Sequence, residues 1–166
     1  MRDSLALSLA AALSGAFLGA CAGIPGAGLK PGVATEGEVR AALGRAGHEW
    51  QEADGTRGIA FPKGPLGTET FVARIDANGR LAAYEQVLDE GHFRRIRPGQ
   101  TTQDEVLRLI GPPWRRIDFA NKAQVAWDYR FRDAWGYLAE FSVVVDAKGV
   151  VAETVTVREE SRRNDR

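Results

Sequence analysis

Two short clusters carry the side chains best suited to moving a proton. Asp89-Glu90-Gly91-His92 sets two carboxylates beside an imidazole, and His48-Glu49 pairs the same groups on a smaller scale. An imidazole beside a carboxylate can serve as a general base, provided a nucleophile or substrate cleft lies within reach. The chain contains no Gly-x-Ser-x-Gly, no His-Glu-x-x-His and no phosphate-cradling glycine loop. His92 and His48 therefore read as surface or linking residues, and a hydrolase built on His92 is the weak alternative. The single cysteine, Cys21, cannot close an internal disulfide, and with only two histidines it falls short of a structural zinc set. No metal, cofactor or small-molecule substrate is expected. Lys and Arg number 22 against 22 for Asp and Glu, so the net charge of zero supplies no field for nucleic acid. Arg94, Arg95 and Arg97, with Arg115 and Arg116, are candidates for a basic patch toward phospholipid headgroups or an acidic partner. Nearby carboxylates favour a solvated face instead.

Cys21 has a context of its own. Arg2 precedes an apolar run over residues 5–18 that ends in small residues, matching a secretory signal of about 15–30 residues rather than a membrane span of ~20 apolar residues. Leu18-Gly19-Ala20-Cys21 resembles the bacterial lipobox, which implies cleavage before Cys21, acylation of its thiol with palmitate-like chains and acylation of the new amine. Each buried methylene of such chains contributes about 0.8 kcal/mol, so several chains hold firmly. Ala22 after the cysteine, by the sorting rule for such lipoproteins, implies the outer membrane and its periplasmic face. The glycine-rich residues 21–30 read as a flexible tether, and the charged residues 159–166 as a solvated tail.

The elements that must position everything else come twice. Pro31-Gly32 to Gly44 and Pro98-Gly99 to Gly111 share Pro, Gly, Thr, Glu, Val and a final Gly at one constant offset. Thr35 with Glu38, and Thr102 with Glu105, write a capping box, and a glycine stops each helix. Val39, Ala42 and Leu43 form an apolar stripe at helical spacing, as do Val106, Leu109 and Ile110. Alternating strands follow: Phe71, Ala73 and Ile75 share one face, as do Phe141, Val143 and Val145, with hairpins at Asn78-Gly79 and Lys148-Gly149. Earlier strands are expected at residues 59–61 and 125–131. The reading is α+β: two tandem repeats, 31–91 and 92–158. Each is a short helix or helix pair followed by a three-stranded antiparallel sheet in two layers, and the two share one interior.

Gly99, Thr102, Val106, Gly111 and Pro112, followed by Trp127-Asp128-Tyr129 on a strand, resemble the pattern of the SmpA/OmlA, or BamE-like, lipoprotein domain. The second repeat matches over most of its length; the first diverges, with Arg45 in place of the proline and Phe61-Pro62 near the Trp-x-Tyr position. The resemblance implies a lipid-anchored scaffold contacting envelope proteins, the barrel-assembly complex among them, with a role in envelope integrity and no chemistry of its own. Tandem copies are also similar in architecture to beta-lactamase inhibitory proteins, which implies an alternative: an enzyme-inhibitor-like protein binding through a concave sheet. Trp127 and Tyr129 share a strand face, either as a partner-binding platform or as core with the tyrosine hydroxyl reaching outward, core being favoured for Trp127; Trp135 and Tyr137, flanking Gly136 in a strand connection, are the candidate partner contacts.

Overall fold

The computed structural model describes residues 25–64 and 67–159. In chain order come helix α1 (Glu36–Leu43) and strands β1 (His48–Gln51), β2 (Arg57–Lys63), β3 (Glu69–Ile75) and β4 (Leu81–Gln86). Helices α2 (Glu90–Phe93) and α3 (Gln103–Ile110) follow, then β5 (Arg115–Phe119), β6 (Gln124–Arg132), β7 (Leu138–Val145) and β8 (Val151–Arg158). The fold is α+β, with two four-stranded antiparallel sheets in the orders β1-β2-β3-β4 and β5-β6-β7-β8. The expected three strands per half become four. The additional strands, β1 and β5, are short and mostly polar, so no apolar alternation marks them; pairing along β2 and β6 makes them strands.

One hydrogen-bonding scheme runs through both halves. The Thr35 and Thr102 hydroxyls each accept the N–H of the glutamate three residues on at 3.3 Å, and each glutamate accepts the threonine N–H at 2.7 Å. Gly32 donates to the Leu81 carbonyl at 2.7 Å, and Gly99 to that of Val151 at 2.7 Å. Leu29 donates to Gly26 at 2.9 Å, and Ile96 to Phe93 at 3.0 Å. Ladder irregularities fall between Arg74 and Ile75 and between Val144 and Val145.

Two cores divide the apolar side chains. Ile59, Phe61, Phe71, Ala73 and Ile75, on one face of the first sheet, enclose Val39 and Leu43 of α1. Ala60 and Val72, on its other face, belong to a second core with Val106 and Ile110 of α3 and Trp127, Tyr129, Phe131, Phe141 and Val143 of the second sheet. Helix α3 touches β2 and β3, so it lies between the sheets. Burial on both faces explains why residues 58–61 and 70–73 are buried without a break.

Residues 25–30, expected as the second half of the flexible tether, are packed on this body. Gly26 is buried, the Tyr84 hydroxyl donates to its carbonyl at 3.1 Å, and Leu29 packs against the first core. A Cβ on Gly26 would lie 2.9 Å from the Tyr84 ring. In the second half the equivalent bonds place Phe93 at the Gly26 position and Thr154 at the Tyr84 position, Tyr84 pairing with Ala73 and Thr154 with Val143. Each half thus seats an aromatic ring over its sheet, supplied by β4 in the first and by α2 in the second. Cys21 and the signal-like residues 1–20 lie outside the described residues, as do 160–166 of the tail.

Candidate functional site

Of the motif residues, Val106, Gly111, Trp127 and Tyr129 are buried, Pro112 is half-buried, and Gly99 and Thr102 are exposed. Gly99 sits in the turn that bonds to β8, Thr102 caps α3, and Val106 is fully buried. Gly111 ends α3 at φ 76° and ψ −168°, a conformation nearly confined to glycine. A Cβ there would lie 2.8 Å from Thr70 Cγ2 and 3.1 Å from Ala60 Cβ. Pro112 approaches Gly47 of the first half, since a Cβ on Gly47 would lie 2.9 Å from Pro112 Cγ. The Tyr129 hydroxyl donates to the Gly111 carbonyl at 3.1 Å, and burial pushes its ionisation far up. Trp127 is buried with the Arg116 guanidinium 4.7 Å over its ring. Trp127 and Tyr129 are core residues. Register aligns them with Ile59 and Phe61, so the first half keeps the pattern in apolar form.

His92 links helix to sheet. Its Nδ1 lies 2.8 Å from Asp89 Oδ2, and its Nε2 lies 3.6 Å from Glu85 Oε2 on β4. Asp89 caps α2; partial burial raises its pKa, but the hydrogen bonds from the His92 N–H and ring outweigh that and hold the carboxyl below its usual value. His48 stacks on Trp50 at 5.6 Å, and burial lowers its pKa, with Asp104 opposing and Arg108 adding to the shift. Among the described residues no group of three or more His, Cys, Asp or Glu could hold a metal ion, and no helix is long and apolar enough to cross a membrane.

The aromatic pair at the β6–β7 connection is presented to solvent by a built turn. Asp133 Oδ1 accepts the N–H groups of Trp135 at 2.9 Å and Tyr137 at 3.0 Å, while Oδ2 accepts Arg158 Nε at 2.6 Å. Burial of this carboxyl works to raise its pKa, but the Tyr137 N–H, Arg158 and the Trp135 N–H prevail and lower it. The Arg158 guanidinium lies 4.8 Å from the Trp135 ring and 5.2 Å from that of Tyr137. Trp135 is 73% exposed and Tyr137 48%. Two exposed aromatics flank a cation on a turn held by three hydrogen bonds, a braced arrangement that would lose little entropy if covered.

A second exposed surface is the face of the β5–β8 sheet turned away from α3. Its centre is polar. The Asp128 carboxylate accepts Arg115 Nε at 2.8 Å and Nη2 at 2.7 Å, and the Ser142 hydroxyl at 2.7 Å. Arg115 also reaches Glu140 at 3.3 Å, and both carboxylates are buried. Around them Trp114, Ile117, Phe119 and Val155 are exposed, with the Arg130 guanidinium 4.3 Å over the Trp114 ring. The structure separates the sequence's candidates for a basic patch: Arg115 serves this face, Arg116 covers Trp127, and Arg95 lines a cleft between the halves.

Asp133 and Arg158 escaped the sequence reading, although a signal was present. Asp-Ala-x-Gly occurs at 76–79, 133–136 and 146–149, and in each the aspartate Oδ1 accepts the N–H groups two and four residues ahead. The Asp128–Arg115–Glu140 group had no such signal, because its members meet only across strands.

No family model matches the chain, and no curated protein matches it. Among solved structures it is similar to a DUF4309 family protein, YjgB, from Bacillus subtilis, at 17% identity and a TM-score of 0.31, over 80% of this chain and 83% of that one.

Proposed function

We propose that this is a lipid-anchored outer-membrane lipoprotein, facing the periplasm, whose body is a tandem pair of BamE-like modules serving as a non-catalytic scaffold for envelope proteins. Cys21 at the end of an apolar run supports the anchor, and the common bonding scheme of the two halves supports the tandem reading. The observation that carries the scaffold role is the exposed Trp135–Arg158–Tyr137 cluster on its Asp133-braced turn. Aromatics and arginine on a rigid support are the residue types that dominate protein contacts. The barrel-assembly complex is the first partner to test.

Labelled palmitate tests the anchor: incorporation is expected in the native chain and absent from Cys21→Ser, and equal labelling of both would reject it. A photocrosslinking residue at position 135, in native envelopes, is expected to capture an envelope protein, and Asp133→Ala to cut the yield. Capture of nothing at this position would reject the contact. A second reading, an enzyme-inhibitor-like protein binding through its sheet, is favoured by the exposed Trp114, Ile117, Phe119 and Val155. A partner lost with Trp114→Ala and kept with Trp135→Ala selects that reading.

A further inference from the structure

We propose that the cleft between β3, the α2–α3 connection and α3 is a binding site for a phosphate-type oxyanion. The cavity, of about 240 Å³, is lined by Arg74, Arg95, Thr101, Glu105, Arg108 and Leu109. Arg74 comes from the first half and the others from the second, so only the packing of the halves assembles it.

The three guanidiniums are open to solvent, and none holds a carboxylate at close range; Arg74 also lies 6.0 Å from the Trp50 ring. None makes a side-chain hydrogen bond among the described residues; Glu52 approaches Arg74 at 3.6 Å and Arg108 at 3.5 Å. Glu52 Oε1 already accepts the Trp50 indole N–H at 2.7 Å, and Glu105 is engaged by the Thr102 N–H at 2.7 Å and hydroxyl at 2.9 Å. By contrast Arg40, Arg115 and Arg158 hold carboxylates at 2.8, 2.7 and 2.6 Å. Arg74, Arg95 and Arg108 against Glu52 and Glu105 leave the cleft one positive charge in excess. Each guanidinium offers a planar fork of N–H donors matched to a phosphate edge. Thr101 Oγ1 accepts the Arg97 N–H at 2.8 Å, which leaves its own proton to donate.

The first half supplies an internal control. Its equivalent hollow is lined by Gly28, Lys30, Ala34 and Glu38 among others; the bonding scheme aligns Gly28, Ala34 and Glu38 with Arg95, Thr101 and Glu105, Ala41 with Arg108, and Lys30 with Arg97. The same helix entry is built there with Gly28, Ala34 and Ala41 where the second half has Arg95, Thr101 and Arg108. What the second half adds at those positions is donors, aimed at a shared opening.

The test is titration of the purified full chain with inorganic phosphate at constant ionic strength, following the arginine Nε–Hε signals by NMR. A parallel arm uses phosphatidylcholine vesicles with and without phosphatidic acid. Saturable shifts at Arg74, Arg95 and Arg108 are expected. The double variant Arg95→Gly/Arg108→Ala, which borrows the first half's residues, is expected to weaken binding at least about tenfold, the loss of one charge-assisted hydrogen-bonding group. It should keep a cooperative unfolding transition. Binding to free phosphate identifies a soluble phosphomonoester as the ligand class. Binding only to phosphatidic acid vesicles, lost in the variant, identifies a lipid headgroup. No saturable shift in either arm, or equal affinity in the variant, overturns the proposal. Because the readout is local to the cleft, its failure leaves the palmitate and crosslinking results unaffected.

Discussion

Gly111 and Tyr129 form one unit: the glycine backbone turns where a Cβ would strike Thr70, and its carbonyl receives the tyrosine hydroxyl. Gly111→Ala combines a glycine-only conformation with that clash, and is expected to cost at least about 1–3 kcal/mol in denaturant unfolding. Tyr129→Phe leaves a buried carbonyl without its donor and should cost about 1–3 kcal/mol by the same measurement. His48 yields a pH prediction. Burial holds its folded pKa below 6.5, so between that depressed value and 6.5 the unfolded chain binds the proton that the folded chain refuses. Stability therefore falls as pH drops below 6.5. A series of thermal unfolding curves from pH 7 toward pH 5 should show the decline, and His48→Gln should flatten it.

At the level of elements, the two capped helices and the Asp-Ala-x-Gly hairpins are local devices, and the residues within a few positions of one another announce them. The aromatic exchange between Gly26 with Tyr84 and Phe93 with Thr154 is not local, because its members sit far apart in the chain and meet over a sheet. Phe93 stacks on Phe141 at 4.1 Å and meets Phe131 edge-on at 4.8 Å. Phe93→Ala is expected to cost about 3–5 kcal/mol in chemical denaturation, as for a buried aromatic truncated in a packed core. The paired change Phe93→Gly with Thr154→Tyr copies the first half, and should recover part of what Phe93→Gly loses alone. No recovery would show that the two entry segments are packed by different rules.

At the scale of the whole molecule, α1, the first sheet, α3 and the second sheet form successive layers, and the last sheet face ends the series. Where the first sheet turns Ala60, Thr70 and Val72 toward the second half, the second sets Asp128, Glu140 and Ser142 on its far side, the two carboxylates buried beneath Arg115. Terminal units of a stack need polar groups on the outer side to remain soluble, and here Arg115 held by the two carboxylates supplies one. The triple change Asp128→Ala, Glu140→Thr and Ser142→Val would recreate the inner face on the outside. It is expected to drive self-association that rises with concentration, read by sedimentation velocity; a triple variant that stays at the native sedimentation coefficient would refute the capping role.

Cap, stop, turn and alternation signals act over a few residues, and so the amino-acid order alone determined the α+β class, the two capped helices and the glycine hairpins; which of the aromatics are buried and which exposed was left to tertiary structure. The fourth strand of each sheet, the sharing of α3 between two sheets, the packing of residues 25–30 and the meeting of Arg74 with Arg95 and Arg108 were decided by tertiary structure. Polar edge strands have no apolar periodicity, and a cleft between halves draws on residues whose proximity exists only after the layers close.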